Sequence, residues 1–177
     1  MFWKKKKQKP DGIKQHIYIG DSEIENGYPQ SIIDPLWWSV SIYDGEEKYN
    51  SDLKQFSLSQ RYIFAIQWYV AEVCNGGHDQ FYSNSTGIVW KDALEGFKEI
   101  GHEKAYKILK ESADRLGGHP SMERDKREEQ LNNLNGDFED LDNDFYDITD
   151  LDEIIMKYIL SHKEEFFFDG LVTKPNI

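Results

Sequence analysis

One stretch decides the fold of this chain: Glu72-Val73-Cys74-Asn75-Gly76-Gly77-His78-Asp79-Gln80-Phe81-Tyr82-Ser83-Asn84-Ser85-Thr86-Gly87. An apolar helix precedes it, and Asn75-Gly76-Gly77 is expected to end that helix, because glycine adopts the left-handed conformation of a helix C-terminus without side-chain strain. Gln80, Phe81 and Asn84 follow at spacings of three to four residues, so they share one face of a short second helix. The stretch predicts two helices separated by a break.

Helical patterns continue on both sides of this stretch. Asp34-Pro35 begins one helix, and Ser57 or Ser59 is expected to cap the long apolar helix. Gly101 and Gly117 end two of the helices that follow. No fixed-period repeat and no alternation of strands with helices is visible. The sequence therefore predicts an all-α fold, a single-domain multi-helix bundle over residues 31–177.

Residues 1–30 are interpreted as a basic, irregular N-terminal arm. The first nine residues carry five lysines and no acid, and two prolines and three glycines follow within the arm. The lysine run, with Phe2 and Trp3, could contact an anionic membrane or nucleic acid, but a solvated chain end is favoured. Ile17-Tyr18-Ile19 has strand character, yet a lone strand has no partner to pair with.

Composition limits the classes of protein. The chain has 177 residues and a formal net charge of −12, and a single cysteine, Cys74, excludes an internal disulfide. No segment resembles a signal peptide or a membrane span, so a cytoplasmic protein is expected. Because the lysines concentrate at the start, the acidic body repels nucleic acid and attracts basic surfaces. Acidity that serves only solubility remains an alternative.

The protein-binding surface is predicted in the tract 137–153, which contains no lysine or arginine. Phe138, Leu141, Phe145 and Ile148 recur there at spacings of three and four, which indicates a buried stripe beneath outward carboxylates. Such carboxylates can compete with DNA phosphates for Lys and Arg side chains, although a solvated helix face explains them too. The candidate residues are Asp137, Glu139, Asp140, Asp142, Asp144, Asp147, Asp150 and Asp152.

Metal and cofactor chemistry find little support. Asp140, Asp142 and Asp144 fit positions 1, 3 and 5 of a calcium loop, but Phe145 replaces its required glycine and Leu151 its required glutamate. The five histidines are scattered singly, and no nucleotide-binding or serine-nucleophile motif occurs. No metal and no cofactor is therefore predicted.

An enzyme of unknown reaction, using the polar cluster around Asn75–Asn84, is the alternative function. Cys74 and His78 could serve as nucleophile and base. Against this, a free cysteine in an apolar helix usually packs as a small hydrophobe, and the Gln80 and Asn84 amides can satisfy backbone groups where helices break. A structural role for the stretch is preferred, and no catalytic residue is assigned.

The aromatic residues admit two interpretations. They could line a ligand pocket, but packing in the core is favoured for them because aromatic side chains bury large areas. The phenylalanine run is expected to dock the end of the last helix onto the bundle. These residues are Trp37, Trp38, Trp68, Trp90 and Phe166-Phe167-Phe168.

The pattern N-G-G-x-x-Q-F-x-x-N-S-[ST]-G, followed by A-L-x-x-(x)-x-x-I-G, resembles the C-terminal domain of the acidic bacterial DNA-mimic protein family. The resemblance covers residues 57–167, and His78 stands where the family usually has an aromatic residue. The matching residues are Asn75, Gly76, Gly77, Gln80, Phe81, Asn84, Ser85, Thr86, Gly87, Ala93, Leu94, Ile100 and Gly101.

The resemblance implies an acidic, all-helical protein that occupies the DNA-binding face of a partner protein. Together with the acidic tract, it predicts a non-enzymatic interaction protein that binds a basic DNA-binding or nuclease-type partner, in the manner of a DNA mimic or an immunity protein. A scaffold or oligomer that is acidic only for solubility stays open as an alternative. A homodimer is also left open.

Overall fold

The computed structural model describes residues 12–174. It is 67% helical, with ten α-helices and a small two-stranded antiparallel sheet within those residues. The strands are β1 (Ile13–Ile19) and β2 (Phe168–Lys174), and short 3₁₀ turns cover Ser85–Val89 and Lys163–Phe166. The helices are α1 (Asp21–Glu25), α2 (Pro29–Ile32), α3 (Asp34–Ser39), α4 (Glu46–Leu53), α5 (Leu58–Ser83), α6 (Trp90–Glu99), α7 (Glu103–Arg115), α8 (Arg124–Asn132), α9 (Glu139–Tyr146) and α10 (Leu151–Ser161).

The prediction of an all-α fold is wrong, because the two ends of the described chain pair as a β-ribbon. β1 and β2 run antiparallel, with Ile19 opposite Phe168. Ile17, Ile19 and Val172 are buried, so the ribbon contributes to the core. The expected lone strand therefore has a partner, and that partner includes the last phenylalanine of the run that was expected only to dock the final helix.

The expectation of an irregular N-terminal arm is also wrong where the structure describes that segment. Residues 12–30 form β1, α1 and the beginning of α2. The carboxylate of Glu23 accepts the backbone N–H of Gly20 at 3.0 Å, and Ile24 is fully buried. The hydrogen bond stabilises the start of α1, and the burial of Ile24 ties the segment to the core. The lysine run lies outside the described residues.

α5 is the central helix of the fold. Its N-terminus has a capping box, in which the side chain of Ser57 accepts from the backbone N–H of Gln60 and the side chain of Gln60 accepts from that of Ser57, both at 3.0 Å. The helix contacts α3, α6, α8 and α9. The apolar side of the helix faces the core through Ile63, Phe64, Ile66, Tyr69 and Val73.

An aromatic cluster joins α9 to this centre. The ring of Tyr69 meets those of Phe81, Phe97 and Phe145 edge-on, with centroid distances of 5.0, 5.5 and 5.1 Å. All four rings are buried. Each edge-to-face pair adds about 0.5–1.5 kcal/mol to the stabilisation from buried area. The cluster therefore holds both segments of α5, together with α6 and α9, in one core.

Candidate protein-interaction site

The break in α5 lies at the predicted glycines. Gly77 has φ 73° and ψ −176°, and Gly76 also departs from helical geometry, so two helical segments continue as one kinked helix. A Cβ atom at Gly77 would lie 2.3 Å from Oδ2 of Asp142. Glycine is therefore required at position 77 both by the positive φ and by the approach of an acidic side chain.

Asp142 fills the break. Its Oδ1 accepts the backbone N–H of His78 at 2.9 Å and the Nδ1–H of the same residue at 2.5 Å. Because an ionised carboxylate only accepts hydrogen bonds, the ring proton lies on Nδ1, and Nε2 accepts the hydroxyl of Tyr69 at 2.6 Å. The carboxylate satisfies a backbone donor at the start of the second helical segment, where the helix dipole favours a negative charge.

His78 is a buried, neutral residue that links Asp142 to Tyr69, and it is not available as a general base. Both His78 and Tyr69 are fully buried. Burial lowers the pKa of His78, and the hydrogen bond and charge of Asp142 oppose that shift only in part. Cys74 is exposed, and partial burial raises the pKa of its thiol. With both ring nitrogens engaged elsewhere, this geometry does not assemble the Cys/His pair considered from the sequence.

A second acidic residue anchors the first turn of α9 to α7. The two carboxylate oxygens of Asp140 accept from Arg115, each at 2.6 Å, and Arg115 also donates to the carbonyl of Asp137 at 2.9 Å. This bidentate bond lowers the pKa of Asp140 to about 2. Asp150 makes a further link, with Oδ1 lying 3.3 Å from Nε2 of His102.

The structure thus divides the predicted binding residues into two groups. Asp140, Asp142 and Asp150 are engaged within the chain, and the carboxylate of Asp137 accepts the backbone N–H of Glu139 at 3.1 Å. The other four predicted binding residues are exposed, and their side chains have no hydrogen bond or ion pair within the described part of the chain. These outward acids are Glu139, Asp144, Asp147 and Asp152.

A cavity of about 450 Å³ lies where α8 ends and α9 begins. Carboxylates stand beside apolar groups in its wall, which suits a Lys or Arg side chain, because such a side chain buries its alkyl stem and keeps its cationic head near polar atoms. The lining includes the acids Asp79, Asp137, Glu139 and Asp142 and the apolar residues Leu131, Leu134 and Phe138.

The amides of the motif bind a carboxylate across the break. Oε2 of Glu72 accepts from Nε2 of Gln80 at 2.7 Å and from Nδ2 of Asn84 at 3.0 Å. We expected these amides to satisfy backbone groups at the break; instead they tie the two helical segments together through Glu72. Phe81 lies in the aromatic core, and Ser85 begins the following 3₁₀ turn.

Arg127 supports the site, but no pattern in the sequence predicts that it is buried. It is fully buried, and its guanidinium donates to the carbonyls of Tyr82, Ser121 and Asn84 at 2.7, 2.6 and 2.7 Å. Burial lowers its pKa to about 10. A Cβ at Gly87 would lie 2.4 Å from its Nε. The glycine signals a close approach, but nothing in the charged α8 pattern singles out this arginine as the buried one.

Two further properties bear on the type of site. Within residues 12–174, no group of three or more His, Cys, Asp or Glu side chains is arranged as a metal site would require. In the same described part of the chain, none of the helices combines the length and the apolar character that crossing a membrane demands.

The fold and site define a class: a mainly helical, acidic protein whose carboxylate-rich helix is anchored to a kinked central helix. A family model described as DMP19-like protein matches residues 54–162, which is more than half of the chain. The chain belongs to the DMP19-like protein family, so the predicted resemblance is confirmed at the level of the family. A search of curated proteins found no match, and neither did a search of solved structures.

Proposed function

We propose that this protein is a non-enzymatic interaction protein whose acidic surface binds a basic DNA-binding or nuclease-type protein. The anchoring of α9 carries the proposal: Asp142 fills the break in α5, and Asp140 pairs with Arg115. The outward acids on and beside this helix are held by an ordered scaffold. Binding to them therefore avoids much of the ordering entropy that a disordered acidic tail would lose.

Family membership supports the same function. The DMP19-like family is associated with DNA mimicry. A DNA mimic presents carboxylates to the Lys and Arg side chains that otherwise neutralise phosphates. The net charge of −12 also favours rapid encounter with a basic partner.

The cavity beside α9 offers one anchoring point for such a partner. A cationic side chain entering it would meet the carboxylates of Asp137 and Glu139 above the apolar side chains of Leu131 and Leu134. Binding energy at interfaces concentrates in a few well-enclosed side chains, with arginine among the most frequent. The cavity would anchor one cationic side chain, and the outward acids would form the negatively charged surface around it.

Calorimetry against purified basic DNA-binding proteins, among them a nucleoid protein and a repressor, tests the proposal. We expect at least one partner to bind with an affinity that falls steeply between about 50 and 200 mM salt, as charge-dominated binding does. The triple substitution Glu139→Gln, Asp144→Asn and Asp147→Asn, called the face variant, should weaken that binding about tenfold or more, because it removes three of the outward acids.

A matched control separates this surface from net charge. Glu47→Gln, Glu128→Gln and Glu164→Gln together remove the same charge from exposed residues that have no hydrogen bond or ion pair in the described chain. The control variant should retain the affinity of the wild-type protein. Equal losses in both variants would attribute the binding to net charge and not to this surface, and the absence of any salt-sensitive partner would favour the alternative in which acidity serves solubility alone. Light scattering of the free protein then tests the oligomeric scaffold.

A further inference from the structure

An aromatic-walled cavity of about 680 Å³ lies away from the acidic tract. It is bounded by α3, the segment that follows it, α4 and the middle of α5, with Thr173 of β2 at one side. Its aromatic lining is formed by Trp37, Trp38, Tyr43 and Trp68. This volume is within the range of about 300–1,000 Å³ that is usual for ligand sites.

Two tryptophans that line this cavity have indole N–H groups without a partner in the described chain. The rings of Trp37 and Trp68 are in contact, with centroids 4.1 Å apart. Neither indole N–H has a hydrogen-bond partner among the residues that the structure describes. Tyr43 stands at the same cavity with 75% of its surface exposed. An unpaired buried donor is unfavourable, and both of these lining tryptophans leave one unpaired among the described residues.

The same wall already binds one cation of this chain. The ammonium of Lys174 lies 5.0 Å from the ring centroid of Trp38 and 3.0 Å from a carboxylate oxygen of Asp34. Asp34 in turn accepts from the indole N–H of Trp38 at 2.9 Å. An aromatic face and a carboxylate therefore act together on an ammonium group, which is the geometry of cation–π recognition.

Asp52 provides a second carboxylate on the other side of the cavity. It accepts the backbone N–H of Ser41 at 3.1 Å and pairs with Lys48. The side chain of Lys48 is 51% exposed, so solvent competes for this ion pair and its exchange costs little. A guanidinium could replace Lys48 and bind Asp52 with better-directed hydrogen bonds.

We propose that this cavity binds an arginine-bearing peptide segment of a basic polypeptide. The guanidinium stacks on the exposed aromatic surface of Tyr43 and pairs with Asp52, and peptide carbonyls accept from the indole N–H groups of Trp37 and Trp68 after a small adjustment of the wall. The acidic charge of the chain favours this occupant. The inference rests on the proposed function only in taking the partner to be basic, because the cavity shares no residue with α9.

A peptide titration tests the inference in the face variant, in which three carboxylates of the acidic tract are replaced by neutral amides. The probe is acetyl-Gly-Arg-Ala-Arg-Gly-amide, followed by intrinsic tryptophan fluorescence and by the indole ¹⁵N–¹H signals. We expect saturable binding that shifts the Trp37 and Trp68 signals. The same peptide with citrulline in place of arginine, which is uncharged and nearly isosteric, should bind about tenfold more weakly, as loss of a cation–π contact and an ion pair predicts. Free arginine amide should bind more weakly than the peptide.

Substitutions within the cavity complete the test. Tyr43→Ala and, separately, Asp52→Asn should each weaken peptide binding several-fold, whereas Tyr28→Ala, which removes a similarly exposed tyrosine outside the cavity, should not. Circular dichroism checks that each variant folds. Equal binding of the citrulline peptide, or no effect of Tyr43→Ala, would overturn the inference. Binding by the wild-type protein that disappears in the face variant would overturn it as well, while supporting the proposed function.

Discussion

Gly77 and Gly45 form a natural pair for testing the role of Asp142. Both have positive φ, 73° and 86°, but a Cβ at Gly77 would collide with Asp142, whereas nothing lies within 4 Å of that position at Gly45. We predict that Gly45→Ala lowers the free energy of unfolding by about 1–2 kcal/mol through backbone strain. Gly77→Ala should lower it by about 2 kcal/mol more, because the carboxylate loses His78. Urea unfolding measures both, and equal losses would contradict the anchoring role of Asp142.

The buried ring of His78 makes stability depend on pH in a defined direction. Its pKa in the folded protein is lowered from 6.5, chiefly by burial, so the unfolded chain binds the proton more readily. The stabilisation is therefore complete above pH 6.5 and is lost as the pH falls toward the folded-state pKa. We predict that His78→Gln flattens the decline in unfolding free energy between about pH 7 and pH 5.

His119 provides the control for that experiment. It is exposed, and its side chain makes no hydrogen bond in the described structure. His119→Gln should leave the wild-type slope of unfolding free energy against pH unchanged. A His78→Gln variant with the full wild-type slope would show that another group is responsible for the dependence.

At the scale of residues, the sequence identified the break but not what occupies it. Gly76 and Gly77 are recognisable because glycine at the end of an apolar helix has a local cause. Asp142 is separated from them by three intervening helices, and its neighbours Asp140 and Asp144 look equivalent to it in the sequence. Only the packing of α9 against α5 decides that Asp142 is the anchor and Asp144 an outward acid.

At the scale of elements, two arginines of α8 hold the C-terminal end of α5. Arg127 donates to the carbonyls of Tyr82 and Asn84, and Arg124 donates to that of Ser83 at 2.7 Å. The last carbonyls of a helix lack partners within it and carry the negative end of its dipole. The partial negative charge at this helix end therefore compensates the positive charge of the buried Arg127, which has no carboxylate partner among the described residues.

We predict that Arg127→Met lowers the free energy of unfolding by about 3 kcal/mol or more, because one buried and two partly buried carbonyls lose a charged donor. Arg124→Met removes one bond from an exposed residue and should lower it by less than about 1 kcal/mol. Chemical denaturation measures the difference, provided that the unfolding free energies of both variants fall with denaturant concentration at the same slope. Similar losses for the two variants would show that burial of Arg127 contributes nothing particular to the junction.

The long helices were predictable and the β-ribbon was not, for reasons of distance along the chain. Ser57 and the apolar spacing of α5 act within a few residues, so the sequence indicates that helix directly. β1 is stabilised by β2, which lies at the other end of the described chain. The alternation of buried Ile17 and Ile19 with exposed Tyr18 indicates a strand, but only the folded chain supplies its partner.

At the scale of the whole molecule, the stretch around the break in α5 and the acidic tract are joined by direct contacts. Asp142 contacts the motif residue Gly77 and its neighbour His78, and Asp140 pairs with Arg115 of α7. The two features therefore depend on each other: the break in α5 positions the helix that carries the outward acids. In the proposed function, charge attracts basic partners, and this anchoring gives the charge a fixed arrangement.

The most direct test of this account measures competition with DNA. A fluorescently labelled duplex is bound to a basic DNA-binding partner identified by calorimetry, and fluorescence anisotropy follows its release as the protein is added. We predict that the wild-type protein and the control variant release the duplex at similar concentrations, and that the face variant needs at least about tenfold more. Release by the face variant at the wild-type concentration would contradict the central claim that the outward acids bind the partner.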